Sequence, residues 1–132
     1  MFERIVVGVS KAASANEAAR HAIGLAQKFD SELHLVIAFE GTDPGPQSAA
    51  RRHAEGTVES IAATYSGKTI THALPDEPAA AILRVAAEVT ADLIVVGNKG
   101  MRGAGRILGS VPNGVAHKAS CSVLIVNTTI AP

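Results

Sequence analysis

Strand-like and helix-like patterns alternate along this chain from beginning to end, and that alternation limits the possible folds more than any motif does. Ile5-Val6-Val7-Gly8-Val9 is a continuous apolar run rich in β-branched residues, the pattern of a strand covered on both faces. Ser14-Ala15-Asn16-Glu17 reads as a capping box. The helix behind it carries Ala15, Ala18, Ala19, Ala22, Ile23 and Ala26 on one face. A second strand spans 33–39, and a loop of turn formers follows over 40–46. Ala50, Ala54, Val58, Ile61 and Tyr65 then recur at helical spacing. Residues 68–73 make a weaker strand, the most polar of the set and therefore expected at a sheet edge. Asp76-Glu77-Pro78 opens a helix with acids and a proline in its first turn, and Ile82, Val85, Ala86 and Val89 form its buried stripe. Leu93-Ile94-Val95-Val96 is the fourth strand, a helix starts at Ser110, and Ser122-Val123-Leu124-Ile125-Val126 closes the series.

The order βαβαβαβαβ predicts an α/β fold: a doubly wound, five-stranded parallel sheet with helices on both faces and right-handed crossovers. The expected strand order is 3-2-1-4-5, within one domain over 1–132. Ligands in such folds sit outside the carboxyl ends of the strands, where the strand order reverses. That places Gly8-Val9-Ser10 beside Val96-Gly97-Asn98 at the switch point.

Composition narrows the partners. The 132 residues are 47% hydrophobic, enough for a packed core. The formal net charge is zero, which argues against nucleic acid, and aromatics at 3% leave little for base stacking. Cys121 is the single cysteine, so no intrachain disulfide is possible, and no Cys/His cluster has zinc spacing. There is no signal-peptide pattern and no apolar run near membrane-spanning length. A cytoplasmic location without membrane contact is expected.

Between the fourth strand and the last helix lie five glycines (Gly97, Gly100, Gly103, Gly105, Gly109) and three cations (Lys99, Arg102, Arg106). Ser110 reads as the helix cap, with Pro112 in the first turn, where its missing N–H costs nothing. Glycines let backbone N–H groups approach a ligand, and a helix N-terminus adds further donors and a positive dipole end. Strand, glycine loop and helix in this order form an anion site, most often for phosphate. The plainer alternative is a glycine-rich surface loop without a ligand.

Other motifs fail on spacing. Ser66-Gly67-Lys68-Thr69 imitates the end of a P-loop, but Ala62 stands where the first glycine belongs, and the segment runs from helix to strand. Leu108 replaces the third glycine of a dinucleotide fingerprint after Gly103 and Gly105. Gly8-Val9-Ser10-Lys11-Ala12 lacks the second glycine of a nucleophile elbow. His21, His34, His53, His72 and His117 show no metal-ligand spacing and read as surface or satisfied, partly buried histidines. Cys121 reads as a small core residue.

Over essentially its whole length the chain resembles the universal stress protein family. The likeness rests on Ile5-Val6-Val7-Gly8-Val9, Ala91-Asp92-Leu93-Ile94-Val95-Val96-Gly97, Gly109-Ser110-Val111 and Ser120-Cys121-Ser122-Val123-Leu124-Ile125-Val126. Gly97-Asn98 with Gly109-Ser110-Val111-Pro112-Asn113 is most similar to members that bind adenine nucleotides, some of them cyclic AMP. The resemblance implies an adenine pocket at Val9, Ser10 and Ala38 and a phosphate cradle at Gly97, Gly100, Gly109, Ser110 and Val111. Gly8, Val96, Asn98, Arg102, Arg106 and Pro112 complete the candidate site. Two departures stand out. The Gly100 to Gly109 interval is one residue shorter than in that branch, and Ser10 replaces the Asp that usually ends the first strand.

The expected function is a cytoplasmic stress-response sensor or regulator that binds ATP, AMP or cyclic AMP, with Mg²⁺ possible beside ATP. No catalytic residue is assigned, because no carboxylate is expected near the loop: Asp92 belongs to the far end of its strand. A slow ATP hydrolase or phosphoryl-transfer enzyme is the alternative, and a ligand-free dimeric scaffold a further one. The apolar last strand, at an edge, predicts a homodimer through Ser122 to Val126, as the resemblance also implies.

Overall fold

The computed structural model describes residues 1–10, 15–40, 48–98 and 108–128. Five strands, β1 (Arg4–Val9), β2 (Glu32–Ala38), β3 (Thr69–Leu74), β4 (Leu93–Gly97) and β5 (Ser122–Val126), alternate with four helices. The helices are α1 (Ala15–Phe29), α2 (Ala49–Ala62), α3 (Pro78–Val89) and α4 (Ser110–Lys118). All strand pairs are parallel, and the sheet order is β3-β2-β1-β4-β5, as the alternation predicts.

The winding follows from handedness. The chain steps outward from β1 through β2 to β3, then returns to the other side of β1 for β4 and β5. Right-handed crossovers that travel in opposite directions must cover opposite faces. One face accordingly packs Ile5, Val7, Val9, Leu33, Leu35 and Ile37 against the alanines of α1 and against Ala54 and Val58 of α2. The other packs Val6, Val36, Ile94 and Val96 against Ile82 and Val85 of α3 and Val115 of α4. Ile5, Val6, Val7, Ile94 and Val95 have no exposed surface. Each such side chain contributes about 1.5–3 kcal/mol by leaving water, so the central strands anchor the sheet.

Local signals place the helix ends. Glu77 caps α3 by accepting from the Ala79 N–H at 3.3 Å, and Pro78 is the first helical residue. Ser48 caps α2 through the Arg51 N–H at 3.0 Å. Tyr65 departs from the sequence pattern: α2 ends at Ala62, and Tyr65 lies beyond it. It is buried all the same, because its hydroxyl reaches Ala26 O and Ser31 O. Ser14 of the expected capping box, the 41–46 loop and the glycine segment 99–107 lie outside the described residues. Among the described residues no helix is long and apolar enough to cross a membrane.

Candidate functional site

The sheet splits at the expected switch point. The β1–β2 register continues to Val9↔Ile37 and the β4–β5 register to Gly97↔Val126. The β1–β4 register stops earlier, at Val7↔Val95. Beyond that pair the two central strands diverge and leave a cleft on the α3–α4 side of the sheet.

Backbone and small side chains make the walls. Gly8, Val9 and Ser10 come from β1 and its exit, Val36 and Ala38 from β2, Val96 and Gly97 from β4. Pro78 and Ile82 of α3, Val111 and Pro112 of α4, and Thr128 after β5 close the rest. Gly8 lets Ile82 approach closely, because a Cβ there would force the end of the Ile82 side chain to shift. Gly97 is similarly constrained, since its Cβ would lie 2.9 Å from the Thr128 methyl. Among the described lining residues only Ser10 and Thr128 carry polar side chains, and none is charged. An apolar cleft with few polar groups suits a flat ring system better than an ion.

α4 points its start at this cleft. Gly109 is the residue before the helix, in extended conformation, and makes no side-chain cap. This corrects one expectation: Ser110 is the first helical residue rather than the cap. The first intrahelical bond, Asn113 N–H to Gly109 O at 3.0 Å, leaves the Ser110 and Val111 N–H groups ahead of it. Pro112, third in the helix, has no N–H to satisfy. A helix start of this kind offers backbone donors and the positive end of the dipole to an anion.

Eight of the expected residues thus meet around one cleft: Gly8, Val9, Ser10, Ala38, Val96, Gly97, Val111 and Pro112. Gly109 and Ser110 adjoin it at the α4 start. Gly100, Arg102 and Arg106 lie outside the described residues. Asn98 is not in the lining: it is 2% exposed and bonded within the protein. Val36, Pro78, Ile82 and Thr128 line the cleft without any sequence motif to single them out.

Asp92 holds the opposite end of the sheet, where its carboxylate accepts the Glu3 and Arg4 N–H groups at 2.8 and 3.1 Å. Cys121 is half-buried, and burial, with Asp92 nearby, pushes its thiol up and away from reactivity. No group of three or more His, Cys, Asp or Glu side chains suited to a metal ion occurs among the described residues.

His34 and His72 form a second polar feature, on β2 and β3. His34 Nδ1 lies 2.9 Å from His72 Nε2, while His34 Nε2 lies 2.6 Å from Glu32 Oε1. A carboxylate only accepts, so His34 Nε2 carries the proton of that bond. The ring centres are 5.2 Å apart, and the facing nitrogens must lie almost on the line between them. That is an end-to-end N–H···N bond, not face-to-face stacking. Lys68 completes the chain at 2.8 Å from Glu32 Oε2. Lys68 and then His34 hold the Glu32 carboxyl below its ordinary range, while burial, then His34, lowers His72 against the opposing effect of Glu88.

Comparison with known proteins agrees with this architecture. The model of the universal stress protein family matches residues 1–127. The chain is 31% identical to the universal stress protein MJ0531 of Methanocaldococcus jannaschii, over 96% of this chain and 82% of that protein. The crystal structure of a universal stress protein in complex with cAMP superimposes with a TM-score of 0.73 at 32% identity, covering 97% of this chain and 98% of the other. The Archaeoglobus fulgidus universal stress protein in complex with dAMP gives a TM-score of 0.72 at 25% identity, over 94% and 97% of the two chains. Matched by the family model along nearly its whole length and by a relative of 31% identity, the chain belongs to the universal stress protein family.

Proposed function

We propose that this protein binds an adenine nucleotide in the β1–β4 cleft and acts in the cytoplasm as a nucleotide-dependent sensor or regulator in the stress response. The observation that carries the reading is the junction of two surfaces: an uncharged apolar cleft and the start of α4, which opens onto it through Val111 and Pro112. Adenine fits the first and phosphate the second. The cAMP and dAMP complexes of similar proteins support the same ligand class.

Binding is favoured over hydrolysis. Phosphoryl transfer needs Mg²⁺ ligands and a group that orients the nucleophile. Among the described lining residues there is no Asp or Glu, and Ser10 occupies the end of β1. A Mg·ATP complex would therefore be held less well than a ligand with one phosphate near the ribose. The short Gly100–Gly109 interval acts in the same direction. AMP or cyclic AMP should bind at least as tightly as ATP. A second copy of the chain is proposed to pair along β5, whose Leu124 is 36% exposed at the sheet edge.

Calorimetry with ATP, AMP and cyclic AMP at matched salt tests the reading. ATP tighter by tenfold, about 1.4 kcal/mol, would overturn the single-phosphate preference. At a hundredfold excess over Kd the nucleotide should stabilise the fold by about 2.7 kcal/mol without being consumed. Phosphate release over many turnovers, lost in Ser110→Ala, would establish the enzyme instead.

A further inference from the structure

Asn98 directly follows Gly97 of the cleft wall, yet its amide is committed elsewhere. Its Oδ1 accepts the backbone N–H and the hydroxyl of Thr128, each at 2.9 Å, and its Nδ2 donates to Asn127 Oδ1 at 3.2 Å. An amide oxygen has two lone pairs, and both are engaged. With its hydroxyl turned to Asn98, Thr128 sets its methyl over Gly97: a Cβ on Gly97 would meet Thr128 Cγ2 at 2.9 Å but Oγ1 only at 3.7 Å. Gly97 and Thr128 both line the cleft, on its β4–β5 side.

We infer that Asn98 is a positioning residue for nucleotide binding: it touches no ligand, and it fixes Thr128 as an apolar wall beside Gly97. The inference rests on the nucleotide reading above. Thr128 lines the same cleft as Gly8 and as Val111 and Pro112 of α4, so a nucleotide held there would lie against this wall. Since the Thr128 hydroxyl proton is already donated, the wall acts through shape and not through a hydrogen bond to the ligand. Asn98 thereby ties the chain that leaves β5 to the affinity of a site formed mainly by β1, β4 and α4.

The test pairs the Kd for AMP, measured well below the melting temperature of each variant, with hydrogen exchange of the Thr128 amide in ligand-free protein. Asn98→Ala should raise Kd roughly tenfold and release the Thr128 amide. Asn98→Asp keeps an oxygen that accepts both Thr128 donors, and should restore Kd to within about threefold and the amide to protection. Thr128→Gly, which removes the wall and leaves Asn98 in place, should be as weak as Asn98→Ala, and it decides the matter should Asn98→Ala fail to fold. A parent-like Kd in Asn98→Ala with a freely exchanging Thr128 amide would overturn the inference and leave Asn98 as a strand tie. Failure of the parent chain to bind any nucleotide would instead sink the nucleotide reading, while amide exchange would still report whether Asn98 holds the wall.

Discussion

The two halves of the sheet, on either side of β1, each hold a polar device, and they differ in kind. On the β2–β3 side it is the Lys68–Glu32–His34–His72 chain, made of groups that gain and lose protons. On the β4–β5 side it is Asn98 with Thr128, which are neutral at every ordinary pH. The first runs across β2 and β3 with its side chains bonded to one another, and the second adjoins the cleft. Buried polar groups demand partners in either place. Placing the titratable set away from the ligand lets the stability of the fold depend on pH while the cleft does not.

The largest effect should come from the strand that divides the halves. Gly8→Val would drive a branched side chain into Ile82, whose Cγ1 is already 3.2 Å from an added Cβ. Overpacking of this kind costs about 1–3 kcal/mol, and the cleft floor would be filled. Urea unfolding should show the loss, and calorimetry should show no AMP binding. Gly24→Ala in α1 is the control, because an added Cβ meets nothing within 4 Å. That change should stabilise by about 0.5–1 kcal/mol. Parent-like AMP binding by Gly8→Val would remove Gly8 from the site.

Next in size is the histidine pair. His34 is 2% exposed, so His34→Ala strands the partners of two hydrogen bonds and should cost about 2 kcal/mol. His72→Ala should cost less, since His72 is only half-buried. A double-mutant cycle should return a coupling of about 1 kcal/mol. Additive losses would show that the end-to-end bond contributes nothing, and the contrast between the halves would rest on Asn98 alone.

Much of this architecture is legible in the sequence, and the exceptions have a common cause. The alternation of apolar runs with amphipathic stretches leads to the strand order, because handedness leaves few other windings. Gly8 and Gly97 can be placed at the switch point since they end the first and fourth strands. Thr128, Pro78 and Ile82 could not be placed there, because only the packed sheet brings them to the β1–β4 gap. His34 and His72 are 38 positions apart, and nothing local marks them as partners. Asn98 shows the reverse case. Its place beside Gly97 suggests a ligand contact, but a side chain at a strand end can turn inward as readily as outward.

Acid titration gives a smaller effect with a definite sign. His72 is lowered from its ordinary value of 6.5, chiefly by burial. The unfolded chain therefore takes up a proton before the folded one, and the stability this histidine confers is complete above pH 6.5 and lost as pH falls through its folded value. Glu32 is held below its ordinary 4.5 by Lys68 and then His34, so its contribution is lost in turn at lower pH. Urea midpoints should fall in two stages, and His72→Gln should remove the first. Cyclic AMP affinity should stay flat between pH 8 and 5.5, about the span over which histidine changes charge, because no described lining side chain titrates there. A matching fall in affinity would place a titrating group in the cleft and erase the contrast.

The smallest effect on the folded monomer, and the sharpest on assembly, is expected at the outer edge of the β4–β5 half. β3 and β5 are both edge strands, but β3 is packed beneath α2 and carries His72, while β5 leaves Leu124 36% exposed. Ile125, its neighbour, is half-buried against the α3–α4 core, so a charge there would damage the fold along with any interface. Leu124 separates the two. Leu124→Lys should change the unfolding free energy by no more than about 0.5 kcal/mol, as surface substitutions do. It should nonetheless convert a β5-paired dimer to monomer, since two lysines would face each other across a two-fold axis and a charge on an edge strand blocks pairing. Light scattering at tens of micromolar reads the difference, that being roughly the range in which micromolar dimers are fully formed. A parent chain that is already monomeric, or a Leu124→Lys protein that remains dimeric, would show that the exposed edge is not where copies meet.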